Sequence, residues 1–367
     1  MRIFGITGTN GKTTTTWILR EFLGGGGLVT TVQVDTGTRQ FYSGYTTPPL
    51  KVLQEIFAEM ESNGLKDCVM EVSSHAIHQH RTGDTVFAGC AFTNLTEDHL
   101  DYHKTMEAYF DAKADLFRRL AVANPGAPVA ICVDGEYGQR LAAMCRELPL
   151  KVLTCGFSVS DPDLIAYIRK TCPLVGRYNV QNVLLAAALA EGAGVSREVI
   201  HAKIPLLTPR WGRLERVQTA STADVFVDFA HTDDALANVL STVREFTQGR
   251  VWAVFGAGGD RDTRKRPLMG AAAAKNADRL VVTSDNPRSE DPLVIIKMIV
   301  AGIPEGTDFT VEPDRAKAIA YALAHAQAGD AVVVCGKGHE TTQTIGKEVL
   351  PFDDREVCRA YRAPTEG

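Results

Sequence analysis

Near the start of the chain, Gly5-Ile6-Thr7-Gly8-Thr9-Asn10-Gly11-Lys12-Thr13-Thr14 has the chemistry of a phosphate cradle. Small residues let backbone N–H groups close around phosphate oxygens, Lys12 supplies a point charge for the terminal phosphates, and the Thr13 hydroxyl is a ligand for Mg²⁺. The general GxxxxGK[ST] spacing wants glycine at position 6, which is Ile6; Gly5, Gly8 and Gly11 precede Lys12 instead. The bland alternative, a glycine turn between strand and helix, is disfavoured by the strand–loop–helix context. Gly8, Thr9, Asn10, Gly11, Lys12, Thr13 and Thr14 are therefore the expected nucleotide contacts. Glu71 closes an apolar run and precedes Val72-Ser73-Ser74-His75, where a carboxylate suits Mg²⁺ near Thr13; a solvated strand-end acid is the other reading. The segment from Thr93 to His103 packs acids and imidazoles after a second apolar run, more than a turn needs, and suggests a second ionic site. His103 alone reads as an ordinary surface or packing histidine.

These residues need elements to hold them. Short β-rich runs at 67–72, 86–92 and 129–133 alternate with helical periods, as do 225–228, 251–255, 280–283 and 331–334 in the second half. Such alternation implies parallel sheets flanked by helices, with ligands at the strand ends. A long helix is expected from Tyr178 to about Glu191, where Asn179 and Asn182 share one face and can present amides to a base; capping is the alternative for Asn179. Thr208-Pro209-Arg210-Trp211-Gly212-Arg213 breaks the pattern, so the domains are read as 1–208 and 209–367. Gly24 to Gly27 reads as a flexible turn. Gly256, Gly258 and Gly259 lack the GxGxxG spacing, which argues against a dinucleotide site.

The 367 residues, 45% hydrophobic and 23% charged, suit two cored domains. A net charge of −5 without a long basic run argues against a nucleic-acid partner. Eight cysteines form no CxxC and no Cys/His cluster, so they read as small hydrophobes of a reducing compartment, the cytoplasm. No leader and no membrane-spanning run are expected.

GTNGKTT at 8–14, Thr46-Thr47-Pro48, Glu71 to His75, Thr93 to His99, Tyr178 to Asn182, Asp228 to His231 and Gly336 to Glu340 together resemble the Mur ligases, ATP-dependent amide-forming enzymes of peptidoglycan precursor synthesis. The resemblance implies a P-loop central ATPase domain with a mostly parallel sheet, followed by a Rossmann-like α/β C-terminal domain. It also implies that ATP phosphorylates a carboxylate and an amine attacks the acyl phosphate. Both steps concentrate negative charge, so positioning and electrostatic stabilisation dominate. By resemblance Lys12, His99 and Lys113 are catalytic. Thr13 and Glu71 serve one Mg²⁺, while His99 and a carbamylated Lys113 serve a second. Asn179 and Asn182 take adenine, and Arg213 and Asp228 contact ATP from the second domain as a hinge closes.

Within the family, Ser73, Gln79, Arg81 and Asp285-Asn286-Pro287-Arg288 resemble the branch acting on UDP-N-acetylmuramoyl-L-alanyl-D-glutamate, in the form that adds meso-diaminopimelate. Thr46 and Thr47 join that carboxylate-substrate group. For the amino acid, Arg288 suits a carboxylate, Glu340 an ammonium, and Asp285, Asn286 and Gly336 the rest of the distal end; Arg261 is a weaker candidate for the same carboxylate, a local ion-pair partner in its acidic turn being the other reading. Three departures stand out: Pro49 replaces a usual acid, Trp211 enters the linker, and the family's N-terminal uridine-binding domain has no counterpart in these residues, for which a piece of a longer chain, a short enzyme with an altered substrate, and a partner supplying the domain are the expectations left open. Two other readings start from these departures. A short amide ligase for another carboxylate is opposed by Ser73, Gln79 and Arg81; a non-catalytic ATP-binding module is opposed by intact Lys12, Glu71, His99 and Lys113.

Overall fold

The computed structural model describes residues 1–208 and 212–362. Pro209, Arg210 and Trp211, inside the interruption that marks the expected boundary, lie outside the described residues. Two compact units emerge, Met1–Thr208 and Pro209–Gly367.

The first unit carries β1 (Arg2–Thr7), α1 (Lys12–Leu23), β2 (Gly27–Val29), β3 (Val34–Asp35), β4 (Gln40–Phe41), α2 (Leu50–Ser62), β5 (Asp67–Glu71), α3 (Ser74–His78), β6 (Phe87–Phe92), α4 (Leu100–His103), α5 (Met106–Ala123), β7 (Pro128–Cys132), α6 (Glu136–Arg146), β8 (Lys151–Cys155), α7 (Pro162–Thr171), α8 (Arg177–Gly192) and α9 (Arg197–Lys203). The strand order is β4-β3-β2-β5-β1-β6-β7-β8. From β2 to β8 the pairings are parallel, as the alternation requires, while β3 and β4 fold back antiparallel. Central strands β5 and β6 are apolar because helices cover both sheet faces. The adjacent order β5-β1-β6 brings three C-terminal strand ends together: the cradle after Thr7, Glu71, and the Thr93 segment. Gly24 to Gly27 makes the turn from α1 into β2. Gly24 caps α1 in the left-handed region, and a Cβ on Gly26, itself at φ +121, would lie 2.5 Å from the Asp67 carbonyl oxygen.

The second unit carries β9 (Glu215–Arg216), β10 (Asp224–Asp228), α10 (Asp233–Arg244), β11 (Val251–Phe255), α11 (Lys265–Asn276), β12 (Arg279–Val282), α12 (Pro292–Val300), β13 (Phe309–Val311), α13 (Arg315–His325), β14 (Ala331–Cys335), β15 (Thr342–Ile345), β16 (Glu348–Pro351) and α14 (Asp354–Ala360). Its sheet runs β13-β12-β11-β14-β10-β9, parallel except at β9, and β15 and β16 form a separate hairpin. The period of two is visible in β14. Ala331, Val333 and Cys335 pack with α10, α11 and α12, while Val332 and Val334 pack with α13 and Cys358 of α14. Helices therefore cover both faces, a doubly wound arrangement in which adjacent β12, β11 and β14 deliver their following loops to one edge.

Candidate active site

The cradle is a shape only glycine permits. Gly8 has φ +145 and a Cβ there would lie 1.8 Å from the Thr93 hydroxyl; Gly11 has φ +84 and a Cβ would meet the Asn182 side-chain oxygen at 2.4 Å. Thr9 and Asn10 donate their backbone N–H groups to Asn94, at 2.9 Å to its carbonyl and 2.9 Å to its side-chain oxygen. This staples the loop to the segment after β6. Thr14 falls in the first turn of α1, where backbone N–H groups lack intrahelical partners and favour anions. Lys12 Nζ curls over the loop to the carbonyls of Gly8 at 3.1 Å and Thr9 at 2.7 Å.

Buried Glu71 accepts the Thr13 hydroxyl at 2.7 Å and the Thr31 N–H at 3.1 Å. Thr31 reaches Thr46 at 2.9 Å, and Thr47 donates to the Glu71 carbonyl at 2.9 Å while accepting the Ser73 N–H at 3.0 Å. Arg81 donates to the Thr47 carbonyl at 3.2 Å and to Gln79 Oε1 at 2.9 Å. Thr46, Thr47, Ser73, Gln79 and Arg81 are thus one connected group beside Glu71. Ser73 also caps α3, accepting from the Ala76 N–H.

Lys113, on α5, is 1% exposed and donates to the Gly8 carbonyl at 2.8 Å. Burial, then the charge of Lys12, pushes its ammonium well below the ordinary lysine value. Its Nζ lies 4.5 Å from the centre of the Tyr109 ring, and Tyr109 reaches the Thr9 hydroxyl at 3.1 Å. His99 begins α4 at φ +56, and burial lowers its pKa to about 4. His75 meets His99 with ring centres 4.9 Å apart; His103 stacks on Tyr109 and bonds the Ser74 hydroxyl at 2.9 Å. His103 is therefore a packed core histidine. Among the described residues no cluster of three or more His, Cys, Asp and Glu is arranged for a metal.

The Asn179 and Asn182 amides face one another at 3.2 Å. Asn182 also accepts the Thr15 hydroxyl at 3.2 Å, and Asn179 donates to the Val175 carbonyl at 2.8 Å. Both are nearly buried, so the pair braces α8 against the cradle helix. Asp228, at the end of β10 in the second unit, accepts the N–H groups of Leu214 at 2.6 Å and Ala230 at 2.8 Å; desolvation raises its pKa. Arg213 lies over the Phe229 ring at 4.7 Å.

The loops after β11, β12 and β14 form a second group. Asn286 donates to Glu340 at 2.8 Å, and Gly336, at φ +117, has its Cα beside the Asp285 carboxylate, which a Cβ would approach to 2.4 Å. Arg288 is held at φ +52 by a bridge to Ile345 and donates to the Gly259 carbonyl at 2.7 Å. Burial and the neighbouring charge of Arg261 lower its pKa. Arg261 donates to the Asp260 carbonyl at 3.1 Å, while the acids beside it are engaged elsewhere: Asp260 with Ser289 and Asp262 with Arg264.

Sequence comparison finds the Mur ligase middle domain over residues 6–170 and the Mur ligase glutamate ligase domain over residues 212–338. The chain belongs to the Mur ligase family. The Geobacillus kaustophilus UDP-N-acetylmuramoyl-L-alanyl-D-glutamate–2,6-diaminopimelate ligase is 42% identical over 98% of this chain and 78% of its own length. The Synechococcus elongatus ligase of the same name is 44% identical over 100% of the chain and 78% of its own length. A solved ligase of that name aligns at TM-score 0.62 and 32% identity, covering 98% of this chain and 77% of its own. The Mycobacterium tuberculosis folylpolyglutamate synthase, solved with ADP and AMPPCP, shares the fold at TM-score 0.68 and 19% identity, over 91% and 88% of the two chains. This Mur ligase is an ATP-dependent enzyme acting on small molecules. Among the described residues no helix is long and apolar enough to cross a membrane.

In this Mur ligase the residues fit Mg²⁺: a hydroxyl and a buried carboxylate, hard oxygen donors, already meet at Thr13 and Glu71. Lys113 fits carbamylation, because burial and Lys12 favour the neutral amine that CO₂ requires. Sequence reasoning missed three buried cations, Arg266, Arg315 and Lys337. Arg266 is fully buried, pairs with Glu290 through bonds of 2.7 and 2.8 Å, and so ties the Gly258 loop to the Arg288 loop; its partner is 24 positions away, without a local signal. Lys337 lies under Glu340, and its three-residue spacing from that acid was the available clue.

Proposed function

We propose that this enzyme joins meso-diaminopimelate to the glutamate carboxylate of UDP-N-acetylmuramoyl-L-alanyl-D-glutamate in the cytoplasm, with ATP as phosphoryl donor. The observation that carries the choice of amine is the meeting of Arg288 and Asn286, after β12, with Glu340, after β14, along one edge of the second unit's sheet. An amino acid whose far end bears both ammonium and carboxylate complements that group; lysine offers only the ammonium.

In the first unit a substrate carboxylate oxygen attacks the γ-phosphorus of ATP, giving acyl phosphate and ADP. An amine then attacks the acyl carbon, forming the amide, releasing phosphate and losing a proton. Lys12 and the glycine-shaped cradle hold the phosphates, with the charge of Lys12 countering that of the moving phosphoryl group. The Thr47, Ser73, Gln79 and Arg81 group orients the carboxylate substrate. Thr13 and Glu71 would hold one Mg²⁺, and His99 with carbamylated Lys113 a second; bound Mg²⁺ supplies further charge neutralisation. Asn179 and Asn182 would receive adenine at the start of α8, and Arg213 and Asp228 would add nucleotide contacts.

The reading is tested by ADP release from ATP and UDP-N-acetylmuramoyl-L-alanyl-D-glutamate with meso-diaminopimelate, L-lysine or no amine. Diaminopimelate-dependent release with formation of the tripeptide is expected. Equal release without amine, or a preference for lysine, overturns it.

A further inference from the structure

Lys337 is a buried charge that the reaction outlined above leaves unused. Its side chain is 0% exposed, whereas that of Glu340, three residues on, is 32% exposed. Lys337 Nζ donates to Glu340 Oε2 at 2.9 Å and to Asn286 Oδ1 at 3.2 Å. Asn286 Oδ1 also accepts the Thr344 N–H at 2.9 Å, and Asn286 Nδ2 donates to Glu340 Oε2 at 2.8 Å. Two donors converging on one amide atom make that atom the oxygen, so the Asn286 side chain is fixed in one orientation. Its acceptor is occupied from two sides, and what remains to offer a ligand is an N–H. Lys337 has therefore converted Asn286 into a donor, and it also cancels the charge of Glu340 from below.

A pocket floored this way differs from one built around a bare carboxylate. Arg288 is left as the charge that decides which end group enters, because Glu340 is already paired. An end bearing carboxylate and ammonium meets donors at Arg288 and Asn286 and a shared acceptor at Glu340. An end bearing only ammonium meets a site whose acidity has been spent. We infer that Lys337 is a specificity-determining residue that makes the acceptor site favour an amino acid with a distal carboxylate over one with a distal ammonium alone. The inference rests on the amine-acceptor reading above, and extends it to a residue that acts through Glu340 and Asn286.

The measurement is kcat/KM for meso-diaminopimelate and for L-lysine, with ATP and the UDP-linked dipeptide, in wild type, Lys337→Met, Glu340→Gln and the double variant. Lys337→Met should lower the diaminopimelate-over-lysine ratio roughly tenfold, chiefly through KM for the amine, with KM for ATP unchanged. Glu340→Gln leaves Lys337 uncompensated and should raise that ratio although both activities fall. The double variant carries neither charge, so the bare carboxylate that lowers the ratio in Lys337→Met is gone and the ratio should return toward that of wild type. A ratio unchanged in Lys337→Met, or one that stays as low in the double variant as in Lys337→Met, overturns the inference. Should Lys337→Met not fold by circular dichroism, the opposite shift in Glu340→Gln decides: a ratio that stays or falls there overturns it. A wild type that does not use diaminopimelate defeats the functional reading instead, and is recognised before any variant is compared.

Discussion

Thr13 donates its hydroxyl to Glu71 at 2.7 Å, joining the residue after the cradle lysine to the end of a strand 58 positions away. Hydroxyl and carboxylate are thereby held together before any cation arrives. Glu71→Gln keeps the size but removes the charge. Its ADP-release titration should shift to about tenfold or more higher Mg²⁺, the scale on which ligand-shell changes act. Superimposable Mg²⁺ titrations of variant and wild type would count against Glu71 as a ligand.

Lys113 is neutral-favouring, buried and bonded to the Gly8 carbonyl at 2.8 Å. Lys113→Ala should be inactive and partly rescued by added formate or acetate, which returns an oxygen ligand. In wild type supplied with ¹³C-bicarbonate, a carbamate carbon signal is expected that the variant lacks. A wild-type spectrum without that signal, or full activity of the variant without additive, would leave Lys113 a structural lysine.

Arg315 and Asp354 are both fully buried and bonded twice, at 2.8 and 2.7 Å, while Arg315 also donates to the Cys335 carbonyl at 2.9 Å. The pair fastens α14 to the end of β14, from which the Gly336 loop departs. Asp354→Asn strands a buried guanidinium and should cost about 3–5 kcal/mol in urea unfolding, whereas Arg315→Met with Asp354→Leu should recover much of that. A loss under about 1 kcal/mol for the single variant would mean that the pair is hydrated.

His339 packs against Phe229 with ring centres 4.8 Å apart, and burial followed by the charge of Arg213 lowers its pKa from 6.5 to about 3. Between those values the unfolded chain binds a proton that the folded unit refuses. Its contribution to stability is therefore undiminished above about pH 6.5 and falls as the pH drops toward 3. His339→Gln should lose less stability than wild type between pH 7 and pH 5 by urea unfolding, with parallel curves as the contrary result.

Local chemistry carried the cradle into the sequence. Glycine spacing before Lys12 and Thr13 requires a particular backbone, and apolar runs of strand length alternating with helical periods imply parallel sheets. Glu71 was legible for the same reason, since it ends an apolar strand and parallel sheets put ligands there, whereas Asp228 and the loop after Cys335 were named through the family resemblance. The antiparallel fold-back of β3 and β4 was not legible, because two-residue strands have too short a period to read.

The partners were the contribution of the tertiary structure. Asn179 and Asn182 share a helix face by sequence, but only packing brought Thr15, 167 positions from Asn182, against them and turned the pair into a brace for the cradle. Glu340 looked like a bare acid for an ammonium. The fold set Asn286 beside it from another strand end, with buried Lys337 beneath both. Sequence alone determined which groups could donate, accept or carry charge, because that is covalent chemistry and local periodicity. Which of those groups are already satisfied, and so what charge each loop presents to a ligand, was decided by long-range packing that removes them from water and pairs them across the sheet.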